Sequence, residues 1–157
     1  PDRPGTSGLV IVQTEIELVP DQYFTWEVDG TTHIGLSNDA ALMGSMTILM
    51  GTGLTGNISI NLHADRTDNF DMGNEAEPDQ FGLTVNISSG TDVPYRGVYY
   101  KCNDNKPYYG KGKLTIDKYG SVGGIISGSI EATVYEVGAC SPRSKKVSGT
   151  FRLRRQL

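Results

Sequence analysis

From Tyr109 to Arg155 the chain keeps a two-residue rhythm that is broken only by turn residues. Leu114 and Ile116 alternate with Lys113, Thr115 and Asp117. Ile126, Gly128, Ile130, Ala132 and Val134 alternate with Ser127, Ser129, Glu131, Thr133 and Tyr135. Val147, Gly149, Phe151 and Leu153 alternate with Ser148, Thr150, Arg152 and Arg154. Successive side chains of a strand point to opposite faces, so each run places one face on a core and the other in water. Gly120, Gly123 and Gly124, then Gly138 and Pro142, occupy the breaks, where turns need them. The stretch predicts three consecutive antiparallel strands, a C-terminal meander.

The same reading extends upstream. Leu9 to Val19 is rich in β-branched residues and predicts a long first strand, ended by Pro20 and Asp21. Tyr23 to Val28 follows, with Phe24, Trp26 and Val28 inward. Asp29-Gly30 is a two-residue hairpin signal that returns the chain through Thr31 to Leu36. Trp26 is expected in the core, its N–H in need of a partner. Ser37 to Gly44 reads as a loop or a single helical turn. Ser45 to Met50 and Asn57 to Ala64 form a hairpin, with Ile58, Ile60, Leu62 and Ala64 on one face and Ser59, Asn61 and His63 on the other. Asp65 to Gln80 reads as a long acidic connection, Phe81 to Ile87 as a strand, Tyr95 to Lys101 as a short one, and Asn103 to Gly110 as a loop. Ile126-Ser-Gly-Ser-Ile130 and Val147-Ser-Gly-Thr-Phe151 echo one another, and paired strands would set each glycine beside a large neighbour or a bend. The expected fold is all-β: an antiparallel β-sandwich, or partly closed barrel, of about nine to ten strands. Residues 1–8 read as a flexible leader and 9–157 as a single domain.

Twenty glycines and a hydrophobic share of 37% suit such a turn-rich β domain. A net charge of −4 supplies no basic footprint for nucleic acid, and no apolar run approaches the ~20 residues of a membrane-spanning helix. Cys102 and Cys140 are too far apart for a metal framework. Free thiols and one disulfide are both open to them; their polar, turn-like surroundings favour the disulfide.

Three other groups could carry function. Tyr100, Tyr108 and Tyr109 belong to a tyrosine-rich stretch near Cys102; such rings pair an apolar face with a hydroxyl and suit glycan or peptide contact. Alternation sets Tyr99 and Tyr100 on opposite faces, one of them in the core. Asp65, Asp68 and Asp71 head the acidic connection and are the ligands a structural calcium would take, although the spacing is not that of an EF-hand. The basic C-terminal end, Arg143 to Arg155, is expected to guard a sheet edge against pairing. Only His33 and His63 could act as a histidine base. Both read as solvated surface histidines, and neither lies in a nucleophile motif, so no catalytic residue is assigned. Asn57 and Asn86 are sequons that matter only in a glycosylating secretory pathway.

The order Phe24-Thr-Trp-Glu-Val-Asp-Gly30, Tyr95-Arg-Gly-Val-Tyr-Tyr100, Gly112-Lys-Leu-Thr-Ile116, Ile126-Ser-Gly-Ser-Ile130 and Val147-Ser-Gly-Thr-Phe-Arg-Leu153 resembles the small β-sandwich lipoproteins of Bacteroidota cell envelopes. The resemblance runs from about Tyr23 to Arg155. It implies export to the envelope or cell surface and a tether through a lipidated cysteine, which would lie ahead of Pro1. The expected function is that of a non-enzymatic envelope or surface module binding a partner protein, a glycan or a peptide. A second reading is a structural subunit that donates strand 9–19 to a neighbouring copy. A third is a glycan-acting hydrolase.

Overall fold

The computed structural model describes residues 21–88 and 92–157. Among them there is no helix, and thirteen strands follow in chain order: β1 (Tyr23–Val28), β2 (Thr31–Ile34), β3 (Ser37–Met43), β4 (Met46–Thr52), β5 (Gly56–Leu62), β6 (Asp68–Met72), β7 (Gln80–Ser88), β8 (Asp92–Arg96), β9 (Val98–Tyr100), β10 (Pro107–Tyr109), β11 (Gly112–Tyr119), β12 (Ile125–Glu136) and β13 (Ser144–Arg154). The all-β expectation holds, and β11, β12 and β13 form the antiparallel meander. The expected strand over 9–19 lies outside the described residues.

Eleven strands make one sheet in the order β2-β1-β13-β12-β11-β6-β7-β5-β4-β3, with β8 laid against both β7 and β12. The sheet curls so that its far end meets its middle. Ala40 of β3 bridges Arg155 in parallel, and Gln156 N–H donates to the Ala40 carbonyl at 2.8 Å. The result is a partly closed barrel. β9 and β10 pair separately as a small hairpin.

Local chemistry fixes the first hairpin. Asp29 and Gly30 both take positive φ, 48° and 83°, the geometry of a type I′ turn that matches the twist of its strands. The Asp29 carboxylate also accepts the Lys146 N–H at 2.8 Å, tying this turn to the start of β13. Inside the barrel, Phe24, Trp26, Phe70, Phe81 and Phe151 are fully buried. Phe24 meets Trp26 edge-on with ring centroids 5.5 Å apart and Phe151 at 5.4 Å. β12 and β13 pair so that Gly128 opposes Phe151 and Ile130 opposes Gly149, and Trp26 lies across from Gly149. The two glycines of the echoed motif thus make room for large rings, as expected of them.

Several segments differ from expectation. Ser37–Met43 is a strand, not a loop or helical turn, because its backbone pairs along the whole of β4. The acidic connection holds β6, which inserts Phe70 and Met72 into the core and pairs with β11 and, in parallel, with β7. The loop over 103–110 holds β10. The basic last strand guards no edge: β13 lies between β1 and β12. Its arginines hold loops instead, Arg154 through an ion pair with Asp21 and Arg155 through the Gly120 carbonyl.

Candidate functional site

The four strands β11, β12, β13 and β1 are each paired on both sides. Their inward side chains fill the core, and register aligns their outward ones into rows. One row reads Asp71, Lys113, Glu131, Ser148, Glu27, Thr32 across six strands. Two residues along β12, Lys111, Thr133 and Lys146 form a parallel row. On the other side run Asn69, Thr115, Ser129, Thr150 and Thr25. This face is concave. A groove of about 980 Å³ lies over the first two rows, with Tyr109 on its rim. A second hollow of about 460 Å³ continues it over the hydroxyl row, sharing Glu27, Lys113, Glu131 and Ser148.

Small residues sink the trough. Gly110 presses on β12, where a Cβ would come within 2.3 Å of the Thr133 carbonyl; a Cβ on Gly112 would lie 2.8 Å from that of Ala132. Among the described residues Lys113 pairs with Asp71 at 3.5 Å and Asp29 with Lys145 at 3.5 Å. Glu27, Glu131, Lys111 and Lys146 have no ion-pair partner there.

The three tyrosines singled out in the sequence go separate ways. Register sets Tyr99 and Tyr108 on one face of the β9–β10 hairpin and Tyr100 and Tyr109 on the other. Tyr99 is the more buried of its pair: it lies between Tyr108, with centroids 5.4 Å apart, and Tyr135, at 4.4 Å. The Tyr108 hydroxyl donates to Asp104 at 2.7 Å, which holds its pKa above the ordinary tyrosine range, and Lys101 stands over its ring at 4.4 Å. Tyr109 is 40% exposed and joins the groove. Tyr100 is exposed over a smaller hollow beside Gly97. Cys102 and Cys140 are bonded, and the disulfide links the loop of the β9–β10 hairpin to the β12–β13 loop beside a hollow of about 610 Å³.

Asp65, Asp68 and Asp71 do not gather: among the described residues no three metal-ligating side chains converge. Asp68 pairs with Arg66 and Asp71 with Lys113.

Of the two histidines only His33 departs from expectation. His33 is buried, not solvated: it stacks on Trp26 and bonds Thr55 Oγ1 through Nδ1 at 2.7 Å. His63 Nδ1 donates to the Ala76 carbonyl at 3.0 Å, which leaves Nε2 to accept from Ser45 Oγ at 3.0 Å. That is a base oriented toward a hydroxyl, but on an exposed hairpin and outside the grooves described above. Trp26 Nε1 is buried with no hydrogen-bond partner among the described residues.

Sequence reasoning missed the groove because Glu27, Lys113, Glu131 and Ser148 are far apart in the chain. The signal in reach was the outward half of each alternation, once strand order is known. No known protein family, curated protein or solved structure matches the chain.

Proposed function

We propose that the chain is the folded domain of an exported envelope or surface protein that binds a partner or ligand, without transforming it, through the open face of β11, β12, β13 and β1. The concave groove, with charged and hydroxyl side chains across its floor and Tyr109 in its lining, carries this reading. Export is supported by the exposed disulfide, which persists in oxidising compartments. No helix among the described residues is long and apolar enough to cross a membrane. A binding role fits better than hydrolysis. Glu27 and Glu131 lie two strands apart with Ser148 between them, roughly 9–10 Å at the backbone, near the spacing of an inverting glycosidase pair. Both stand solvent-exposed on an open face rather than in an enclosed cleft.

The test is a groove-filling variant, Ser148→Trp, compared with wild type on arrayed glycans and peptides. The expected result is saturable binding by the wild type, lost in S148W at unchanged melting temperature, with the bound material recovered intact. Binders that ignore S148W, or bound material that is cleaved, would sink the reading.

A second reading, assembly by strand addition, is favoured by the edge at β2. Among the described residues this strand pairs with β1 alone. Ile34 and Leu36 stand exposed at its end, beside the β4–β5 turn that carries exposed Leu54. Deleting residues 1–19 should then leave the domain folded and abolish any self-assembly seen by light scattering.

A further inference from the structure

The groove restricts the chemistry of what it can hold. Its floor is made of interior strands whose backbone groups are already paired on both sides, so a peptide cannot add there as an extra strand. The outward side chains of the two charged rows are hydroxyls, carboxylates and ammonium groups; the aliphatic side chains that line the groove, Met72, Ala132 and Val147, are buried beneath them and offer little surface to a peptide side chain. Apart from Lys113, which Asp71 pairs in the first row, the charges come in opposed rows. Glu131 and Glu27 flank the Ser148 hydroxyl in one, and Lys111 and Lys146 flank the Thr133 hydroxyl in the next. A polyanion laid in the groove would meet the carboxylate row, and a polycation the lysine row; each like-charge approach costs affinity. A neutral chain that both donates and accepts at every unit matches both rows at once: its hydroxyls donate to the carboxylates and accept from the ammonium groups. Tyr109, half-exposed on the rim beside Lys111, adds a flat apolar ring of the kind that stacks on the C–H face of a sugar.

We propose that the groove takes a neutral oligosaccharide, held between the Glu131–Ser148–Glu27 and Lys111–Thr133–Lys146 rows with a sugar ring against Tyr109. This rests on the reading of the face as a binding site and names its ligand class.

The experiment is calorimetric titration of the whole chain with neutral hexasaccharides (cello-, laminari-, xylo- and mannohexaose), with polygalacturonate and with a hexalysine peptide. At least one neutral hexasaccharide should bind, with little dependence on salt. Tyr109→Ala and Glu131→Gln should each weaken it about tenfold, and S148W should remove it. A melting temperature within a few degrees of wild type confirms that each variant is folded. S148W-sensitive binding only to polygalacturonate, to hexalysine or to arrayed peptides would overturn the sugar assignment and leave the binding face standing. No S148W-sensitive binding to any probe would overturn both.

Discussion

His33 lies flat against Trp26, with ring centroids 5.7 Å apart and 16° between the planes. Burial there disfavours the imidazolium and holds the His33 pKa below its ordinary value. The unfolded chain therefore takes up this proton first as pH falls. Stability should be full above about pH 6.5 and decline below it, until the depressed folded pKa is reached. His33→Phe keeps the stack and should flatten that stretch of the melting-temperature profile. The loss at lower pH should remain, because Arg154 and Arg66 hold Asp21 and Asp79 below the usual carboxylate range. Those two contribute above about pH 3.9 and cease to do so as pH falls through their depressed values. An unchanged slope between pH 5 and 6.5 in H33F would remove His33 as the cause.

Thr47 joins two layers of the barrel. Its buried hydroxyl donates to the Ala64 carbonyl at 2.7 Å, so Tyr119 OH must be the donor in the 2.6 Å contact between them. Thr47→Val strands an acceptor and a donor at once and should cost about 1–3 kcal/mol in urea unfolding; Tyr119→Phe should cost about 1 kcal/mol. Equal stability for wild type and T47V would show that water replaces both bonds.

Gly128 sits where no side chain fits. A Cβ there would lie 1.9 Å from the Thr115 carbonyl on β11, a backbone atom that can move only with its strand. Gly128→Ala should therefore destabilise by about 1–3 kcal/mol or more. Gly149→Ala should cost less, since its nearest contacts start at 3.0 Å. The reverse ranking in denaturant melts would contradict the packing described for β12 and β13.

The disulfide spans 38 residues, and both cysteines are exposed. Reductant should open it without denaturant. In the chain-entropy account the link is worth up to roughly 4 kcal/mol, so reduction, or Cys102→Ser with Cys140→Ser, should lower the melting temperature by several degrees. The near-ultraviolet signal of the Tyr99, Tyr108 and Tyr135 cluster should weaken as the β9–β10 hairpin loosens. Superimposable melts with and without reductant would deny the bond any role in stability.

Strands that bury one face could be read in the sequence. β1, β5, β7, β12 and β13 alternate almost residue by residue between buried and open positions, and that is the pattern the two-residue rhythm records. β3 could not be read this way, because only Ala40 of its seven residues is buried and nothing alternates. β6 hid among carboxylates: its two core residues, Phe70 and Met72, are set in an otherwise acidic run. β10 has three residues and, among the described residues, pairs with β9 alone. The groove was out of reach for a different reason. Its rows exist only once β1 is known to lie beside β13, a pairing between Tyr23 and Arg152 at one end and Val28 and Val147 at the other, which no local pattern encodes. The chemistry of Tyr109 marks it in the sequence as a candidate contact residue; that it lines one groove with Lys111 and Glu131 comes from the fold.

That long-range pairing has a consequence for biogenesis. On the ribosome β1 emerges long before β13, the strand that satisfies its outer edge, and the bridge from Ala40 to Arg155 waits for the same stretch. Until then Phe24 and Trp26 have no lid. Closing contacts this remote in sequence is slow, and this domain should stay open until β13 has been made. A chain released short of β13 should be captured by chaperones or degraded rather than accumulate as a smaller folded unit.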